Sequence, residues 1–364
     1  MFSVLFPGQG SQSPGMAKIF YENFDYVKSL FQEADDLLKN SISKLVLEGP
    51  KDKLDLTENT QPAIFMVTYS IFQVLKKETS FDLNSAKYFA GHSLGEYSAL
   101  ACAEALTFSQ TIQLLQKRGQ AMQSAVPKGQ GGMLAVLGSD VEKINEIIES
   151  NKDKFICYVA NDNSVGQIVV SGNNQDLDNF SSELKNNNIK NIKLPVSAPF
   201  HCKLMDSATK IMNEEISKIE FNSPKVEIIS NVTAEPANEP AKIKELLVSQ
   251  IEKPVRWREI VNYMIDKNIN KFIEIGPGKV LSGLVKRINR NVELLQINDL
   301  EDLKKFIDQQ KTVFEDYWKL KNIINTSIKL DLTISVDNSN IIKIDQFEET
   351  LSSIELVNKF NIFK

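Results

Sequence analysis

With 364 residues, of which 42% are hydrophobic and 24% charged, the chain can bury one large core with an inserted lobe or form two ordinary domains. Its 42 Lys and Arg residues against 47 Asp and Glu residues give a net charge of -5. Without a basic tail or run, nucleic acid is not an expected partner. Three cysteines without a C-x-x-C pair fit reduced thiols rather than a disulfide framework: Cys102, Cys157 and Cys202.

The first residues lack the basic and apolar regions of a secretory signal, and no stretch approaches roughly 18 uninterrupted apolar residues. We therefore expect a cytoplasmic protein with no membrane partner. Asn231-Val232-Thr233 matches the acceptor triplet for N-glycosylation, but a protein without a secretory route does not meet the modifying enzyme. The triplet is therefore expected to stay unmodified.

The N-terminal third predicts two strands that each end in a glycine-containing turn. The apolar run at 2–6 is cut off by Pro7-Gly8-Gln9-Gly10, which is typical of a buried strand followed by a tight loop. A second short strand at 87–90 leads into Gly91-His92-Ser93-Leu94-Gly95, and the Ala-rich residues 96–105 favour a helix after it. The order is therefore strand, sharp turn and helix.

A further helix is predicted from Thr107, a suitable N-cap, because apolar residues recur after it at helical spacing and place Arg118 within the helix. Between 133 and 195 the order of elements is strand, helix, strand, strand, helix, strand, which is the ferredoxin-like βαββαβ pattern. The chain after it again alternates helices with strands, and one strand ends in Gly276-Pro277-Gly278.

These elements predict an α/β fold with two lobes. A large α/β-hydrolase-like lobe with a parallel sheet is expected from residues 1–130 and 196–300, and an inserted ferredoxin-like small lobe from residues 131–195. Residues 301–364 form a C-terminal extension of unknown role, in which a helical stretch is followed by a period-2 strand pattern at 328–336.

The segment Gly91-His92-Ser93-Leu94-Gly95 fits the G-x-S-x-G elbow, a strained turn that exposes the serine hydroxyl at the positive end of a helix. The same pattern also occurs in plain strand-to-helix turns, so it does not by itself identify a nucleophile. A nucleophilic serine needs a base, and histidine is the usual one because its pKa lies near neutrality.

The chain has two histidines that could serve as this base. His92 is next to Ser93 on the sharp turn, where neighbouring side chains diverge, so packing or orienting the turn is its expected role. His201 lies in a non-helical segment directly before a helix, from which a side chain can project into a cleft. His201 is therefore the candidate base. No acidic residue stands out as its partner, which leaves a backbone carbonyl for that position.

Several motifs, in family order and at family spacing, resemble those of the bacterial malonyl-CoA:acyl carrier protein transacylases and of polyketide synthase acyltransferase domains. The resemblance extends from Met1 to the region of Ile297. It rests on Phe6-Pro7-Gly8-Gln9-Gly10-Ser11-Gln12, Gly91-His92-Ser93-Leu94-Gly95-Glu96, Lys117-Arg118-Gly119, Val159-Ala160-Asn161-Asp162-Asn163, Pro199-Phe200-His201 and Glu274-Ile275-Gly276-Pro277-Gly278-Lys279-Val280-Leu281.

The resemblance implies roles for residues around the elbow. Ser93 would form the acyl-enzyme, His201 would be its base, and the backbone carbonyl of Gln250 would orient His201. The backbone N–H groups of Gln9 and Leu94 would form the oxyanion hole.

The resemblance also implies a substrate-binding set. Arg118 would bind the free carboxylate of a malonyl group, and the planar guanidinium suits this task on chemical grounds as well. A surface arginine on a helix is the plainer interpretation of the same residue. Three further residues are implied to contact the substrate, with a place in a turn as the alternative for the two asparagines: Asn161, Asn163 and Phe200.

The implied activity is the transfer of malonyl from malonyl-CoA to the phosphopantetheine thiol of an acyl carrier protein, for fatty acid synthesis, in a ping-pong reaction without metal or redox cofactor. Three alternatives stay open: a stand-alone polyketide synthase acyltransferase, a serine acyl hydrolase and a non-catalytic binding scaffold. The enzyme is expected to be a monomer. Because acyl carrier proteins are acidic, the candidate docking residues are basic: Lys185, Lys190, Lys193, Lys286 and Arg287.

Overall fold

A computed structural model describes residues 1–196 and 198–310 as two lobes, each built on its own sheet. The first part of the larger lobe comprises β1 (Phe2–Phe6), α1 (Lys18–Asn23), α2 (Asp25–Leu38), α3 (Ile42–Glu48), α4 (Lys51–Leu54), α5 (Thr57–Glu78), β2 (Tyr88–Gly91), α6 (Gly95–Cys102) and α7 (Phe108–Ser124). The smaller lobe comprises β3 (Gly131–Leu137), α8 (Val141–Ser150), β4 (Cys157–Ser164), β5 (Gln167–Asn173), α9 (Asn174–Asn186) and β6 (Lys190–Lys193). The chain then returns to the larger lobe with α10 (Asp206–Ser217), β7 (Glu227–Ile229), β8 (Pro236–Ala237), α11 (Pro240–Ser249), α12 (Trp257–Asp266), β9 (Lys271–Ile275), α13 (Val280–Ile288) and β10 (Glu293–Ile297).

The sheet of the larger lobe has the strand order β10-β9-β1-β2-β7-β8, with parallel pairing throughout except between β7 and β8. All five residues of β1 are buried, as expected of a strand covered on both faces in an α/β fold. The register pairs Phe6 with Gly91, so β1 and β2 end side by side. The loops that follow these two strands therefore meet at the carboxyl edge of the sheet, where α/β folds place their ligand sites.

The sheet of the smaller lobe is antiparallel, with the order β4-β5-β3-β6. This order, together with the helices α8 and α9, is the ferredoxin-like arrangement. Both helices begin at a side-chain cap, Asp140 and Asn173 respectively, and bury an apolar face against the sheet. The predicted α/β fold with a parallel sheet and a ferredoxin-like second lobe is therefore confirmed.

The two lobes are joined along the second half of β4. The Val255 N–H donates to the Ala160 carbonyl oxygen at 2.8 Å, and the Asp162 N–H donates to the Val255 carbonyl oxygen at 3.0 Å. Arg258 of α12 donates from Nε and Nη2 to the Asp162 carboxylate at 2.9 and 2.8 Å. These backbone and charged hydrogen bonds hold the smaller lobe against the carboxyl edge of the larger sheet.

Helix α7 begins at the predicted cap. The Thr107 side chain accepts from the Gln110 N–H at 3.1 Å, and the Gln110 side chain accepts from the Thr107 N–H at 2.9 Å, which forms a capping box. Helix α6 is shorter than the 96–105 prediction. It ends at Cys102 because Glu104 takes a left-handed conformation with φ 62°, which a helix does not continue through.

Residues 300–310 are helical, and Leu303 and Phe306 within them are buried in the core of the larger lobe. The Phe306 ring packs edge-on against Phe81 at 5.0 Å between centroids. The packed lobe thus continues past residue 300, the boundary predicted for the C-terminal extension. The remainder of the predicted helix and the 328–336 strand lie outside the described residues.

None of the helices in the described part of the chain combines the length and apolar character needed to cross a bilayer.

Candidate active site

Ser93 lies on a strained turn between β2 and α6, with φ 53°. A Cβ on Gly91 would lie 1.9 Å from the Gly95 backbone, and a Cβ on Gly95 would lie 2.2 Å from the Phe6 carbonyl oxygen. Only glycine fits at these two positions, because real Cβ atoms do not approach other heavy atoms so closely. The strand, turn and helix therefore present the Ser93 hydroxyl at the N-terminus of α6.

Asn231 fixes the backbone of this turn. Its side-chain Oδ1 accepts from the Ser93 N–H at 2.7 Å, and its Nδ2 donates to the Gly91 carbonyl oxygen at 2.7 Å. Asn231 is fully buried, so the asparagine of the glycosylation triplet is a structural residue of the site. Asn231 is not among the sequence candidates. Its one signal in the sequence is its position two residues after the end of β7, the strand that pairs with β2.

His201 is within hydrogen-bond distance of the serine. Its Nε2 lies 2.8 Å from Ser93 Oγ, and its Nδ1 lies 2.7 Å from the Gln250 carbonyl oxygen. A carbonyl oxygen only accepts, so Nδ1 carries the hydrogen and Nε2 is left to accept from the serine hydroxyl. Burial, followed by the charge of Arg118, lowers the pKa of His201 to about 3. The imidazole is therefore neutral at physiological pH, as a base must be.

Arg118 is a buried cation directly beside the nucleophile, with 1% of its surface exposed. It donates from Nη1 to Gln61 Oε1 at 2.7 Å, and from Nη2 to Gln250 Oε1 at 2.7 Å and Ser93 Oγ at 3.1 Å. Within residues 1–196 and 198–310, Nε has no hydrogen-bond acceptor and no carboxylate forms a salt bridge with the guanidinium. A buried arginine without a salt bridge to an acidic residue is suited to an anionic ligand.

Two backbone N–H groups next to the serine are available to a ligand. Among the described residues, no acceptor meets the N–H of Gln9 or that of Leu94. Leu94 directly precedes α6, so its N–H points from the positive end of the helix. The loop that carries Gln9 is tied to the turn by the hydrogen bond from the His92 N–H to the Phe6 carbonyl oxygen at 3.1 Å. This arrangement suits the binding of an oxyanion.

The serine opens into a cavity of about 110 Å³ between the two lobes. Its lining residues come from both lobes: Gln9, Gln61, His92, Ser93, Leu94, Arg118, Met122, Met133, Asn161, Val169, Leu194, Val196, Phe200 and His201. The described residues contain no cluster of three or more His, Cys, Asp or Glu side chains that could hold a metal ion.

Of the two asparagines expected in the cleft, one lines the cavity and the other does not. Both lie in strand β4 rather than in a turn, and Asn161 lines the cavity. Asn163 is not among the lining residues. Its Oδ1 lies 2.8 Å from His92 Nε2, and the His92 ring packs against Trp257 at 5.5 Å between centroids. Asn163 thus holds His92, whose predicted role of packing and orienting the turn matches these contacts.

Glu96 and Gln61 are further residues of the site for which the sequence predicts no role, although Glu96 is the last residue of the family motif that contains the elbow. Glu96 Oε2 accepts from Gln250 Nε2 at 2.7 Å and from the Asn231 N–H at 3.2 Å, and Glu96 is 3% exposed. Gln61 comes from α5 and accepts from Arg118. Each is separated from its partners by tens of residues in the sequence, so only the folded chain brings them together.

Comparison with known proteins decides the family. A model of the acyl transferase domain family matches residues 4–315. The malonyl CoA-acyl carrier protein transacylase of Bacillus subtilis (strain 168) is 41% identical over 311 residues, which is 85% of this chain and 97% of the relative. The chain belongs to the malonyl CoA-acyl carrier protein transacylase family. The transacylase of Staphylococcus aureus (strain MRSA252) is 40% identical, over 83% of this chain and 97% of its own length.

Solved transacylase structures share the whole two-lobe fold. The acyl-carrier-protein S-malonyltransferase of Bartonella henselae superposes with a TM-score of 0.82 at 38% identity, over 84% of this chain and 98% of that chain. A malonyl-transacylase solved in complex with its type II polyketide synthase acyl-carrier protein superposes with a TM-score of 0.81 at 36% identity, over 85% and 99% of the two chains. This chain is therefore an acyltransferase with the fold of the family.

Proposed function

We propose that this transacylase transfers malonyl from malonyl-CoA to the phosphopantetheine thiol of an acyl carrier protein, through a malonyl ester on Ser93, and so supplies fatty acid synthesis. The observation that carries the proposal is the position of Arg118. A buried guanidinium 3.1 Å from the nucleophilic hydroxyl, with no salt bridge to an acid in the described part of the chain, selects an acyl group that ends in a carboxylate.

In the first half-reaction, Ser93 Oγ attacks the thioester carbonyl of malonyl-CoA while its proton moves to His201 Nε2. The negative charge that develops on the carbonyl oxygen is bound by the N–H groups of Gln9 and Leu94. Collapse of the intermediate breaks the carbon–sulfur bond, and the CoA sulfur leaves with the proton from His201. The Gln250 carbonyl stabilises the imidazolium while it carries this proton.

The second half-reaction runs the same steps in reverse with a different thiol. The phosphopantetheine thiol of the carrier protein gives its proton to His201 Nε2 and attacks the malonyl ester. Ser93 then leaves as the alkoxide and takes the proton back. Because one base and one oxyanion site serve both directions, no metal or redox cofactor is required by this mechanism.

Two rival activities lie in the same reaction class. The likeness to a malonyl-transacylase bound to a polyketide synthase carrier keeps a polyketide role open, with the same chemistry on another carrier. A serine hydrolase would use the same serine and base but give the acyl group to water.

We expect the malonylated enzyme to lose its malonyl group much faster when it is mixed with holo carrier protein than when it is mixed with buffer in a single-turnover experiment. The reason is that a thiol bound at the site is held in position for attack, whereas water is not. Equal rates would identify a hydrolase.

The basic residues that are candidates for contact with the carrier protein lie on two separate surfaces. Lys286 and Arg287 are exposed on the last turn of α13, where Arg287 also donates to Gln167 at the start of β5. Lys190 and Lys193 are exposed on β6, at the opposite edge of the small sheet from β4, which α13 contacts. The fifth candidate, Lys185, lies on α9, so the five candidate residues do not form one patch.

Charge reversal on α13 tests which surface the carrier uses. We expect the double variant Lys286→Glu and Arg287→Glu to slow transfer to the carrier protein by about tenfold or more at low salt, while acylation from malonyl-CoA stays near the wild-type rate. The matched control is Lys190→Glu with Lys193→Glu. Slowing by the control alone would place the carrier at β6, and equal slowing of both half-reactions would show that the substitutions disturb the site itself.

Three further expectations belong to the same proposal: action as a monomer, no bound cofactor and a cytoplasmic location. The three cysteines, Cys102, Cys157 and Cys202, are buried free thiols, which is compatible with a reducing compartment.

A further inference from the structure

Glu96 is a buried carboxyl group to which the two half-reactions assign no role. It is the second residue of α6, and its Oε2 accepts from the side chain of Gln250 and from the backbone of Asn231. Both donors belong to segments that hold the reacting groups, since Gln250 bonds to His201 and Asn231 bonds to Ser93. Salt bridges within residues 1–196 and 198–310 do not include Glu96.

The side-chain amide of Gln250 connects Glu96 to Arg118. Its Nε2 donates to Glu96 Oε2 at 2.7 Å and to the Ser93 carbonyl oxygen at 3.0 Å, and its Oε1 accepts from Arg118 Nη2 at 2.7 Å. A carboxylate only accepts and a guanidinium only donates, so this is the one amide orientation that satisfies both. The amide thus separates the two charges and leaves part of the guanidinium edge available to a substrate.

This separation has a consequence for the charge of the site. Without an acyl group, the site holds one buried cation and one buried anion, each of which stabilises the other. A malonyl group adds a second anion next to the same cation. An uncompensated buried charge is costly, so one of the two carboxylates is expected to become neutral.

We propose that Glu96 is the counter-ion of Arg118 in the acyl-free enzyme, and that it takes up one proton from solvent when a carboxylate-bearing acyl group binds to Arg118. The inference rests on the proposed function. The malonyl carboxylate keeps its charge and binds the guanidinium directly, while the Glu96 carboxylate becomes a carboxylic acid. Glu96 is thus a positioning residue that acts on selectivity through Gln250 and Arg118.

The ionisation of Glu96 lies in a range in which this uptake can be measured. Burial raises its pKa to about 7, against the opposing effects of hydrogen bonds from Gln250 and Asn231 and of the charge of Arg118. A malonyl carboxylate bound to Arg118 adds a nearby negative charge that raises the same pKa further, and Glu96 takes up a proton as a result. Below pH 7 the proton is already present, and above pH 7 it must be taken from solvent.

The other titratable groups around Glu96 do not change charge between pH 7 and pH 8. Burial raises the pKa of Tyr97 to about 12. Burial lowers the pKa of Arg118 from its ordinary value, but a guanidinium keeps its proton throughout this range. Burial lowers the pKa of His201 to about 3 and also lowers that of His92.

The direct test follows protons with a pH indicator during stopped-flow acylation at pH 8. For the wild-type enzyme we expect uptake of up to about one proton per Ser93 acylated by malonyl-CoA, in excess of the value with acetyl-CoA. Glu96→Gln keeps a side-chain oxygen that can accept from both donors, but the amide does not titrate. The excess proton uptake should therefore vanish in this variant. Glu274→Gln is the matched control, because Glu274 is also a buried carboxyl with a raised pKa but accepts from Leu281 and Ser282 instead.

The selectivity of the enzyme gives a second readout that a purely structural role would not change. We expect the ratio of kcat/KM for malonyl-CoA to that for acetyl-CoA to be level below pH 7 and to fall up to about tenfold between pH 7 and pH 8. His201 and Ser93 act on both substrates, so their contributions cancel in this ratio. The ratio should be independent of pH in Glu96→Gln and should follow the wild-type profile in Glu274→Gln.

The possible outcomes separate this inference from the proposed function. Uptake that persists in Glu96→Gln would mean that another group takes the proton, and the inference would be wrong. An absence of excess uptake in the wild type, with Ser93 malonylated, would also overturn it. Failure of malonyl-CoA to acylate Ser93 at all would instead overturn the proposed function. If Glu96→Gln does not fold, the wild-type uptake and pH profile decide the question.

Discussion

Replacing Arg118 with alanine should lower kcat/KM for malonyl-CoA by roughly 30- to 4,000-fold, because a carboxylate in a desolvated site loses about 2–5 kcal/mol without its cationic partner. Acetyl-CoA carries no carboxylate and gains nothing from Arg118, so acetyl loading of Ser93 should stay level or rise. The expected result is a change in which acyl group is loaded. Both activities are followed as adducts on Ser93 in the same protein preparation.

The matched control for this variant is Lys117→Ala, which removes the neighbouring exposed cation from the same helix. It should leave both loading rates close to wild type, since exposed charges contribute little. Thermal melts check folding, because Arg118 is buried and bonds to Gln61 and Gln250. If malonyl and acetyl loading fall by the same factor in folded Arg118→Ala, the residue does not select for the carboxylate.

Replacing His201 with alanine should slow acylation of Ser93 by roughly 10²- to 10⁴-fold, the usual contribution of a positioned base. Some activity should remain, because the N–H groups of Gln9 and Leu94 still bind the oxyanion. His92→Ala is the comparison, since it removes the other histidine, which faces Asn163. Rapid-quench measurement of the Ser93 adduct gives the rates. A larger loss in His92→Ala than in His201→Ala would contradict the assignment of the base.

The pKa of His201 adds a pH dependence to the same experiment. An ordinary histidine would gain a proton and stop acting as a base as pH falls through about 6.5. Because burial and Arg118 lower the pKa of His201 to about 3, its neutral form should persist down to pH 5. Acetyl loading, which does not depend on the charge of Glu96, should therefore show no loss of the base between pH 7 and pH 5.

The sequence predicts those parts of the site that are encoded over short distances. The Gly91–Gly95 turn, the capping box that begins α7, and the βαββαβ order each depend on neighbours within a few residues. These patterns place Ser93 and Arg118 on their elements without knowledge of the fold. The presence of only two histidines makes His201 the candidate base, and the family resemblance adds the carbonyl of Gln250. The structure brings all four residues together.

The remaining contacts depend on pairs that are distant in the sequence, and local patterns carry no information about them. Asn231 lies 138 residues from Ser93, and Glu96 lies 154 residues from Gln250. The position of Asn163 could not be predicted for the same reason, since its partner His92 is 71 residues away. The basic candidates divide between two surfaces because strand order in the sheet, not sequence order, sets which residues are neighbours.

Intact-mass analysis of the enzyme after incubation with malonyl-CoA, followed by peptide mapping, tests most directly whether Ser93 is the nucleophile. We expect one malonyl adduct per chain, located on the peptide that contains Ser93, which disappears when holo carrier protein is added. Ser93→Ala should carry no adduct under the same conditions. A malonyl adduct of normal yield on the Ser93→Ala protein would show that another residue is acylated and that Ser93 is not the nucleophile.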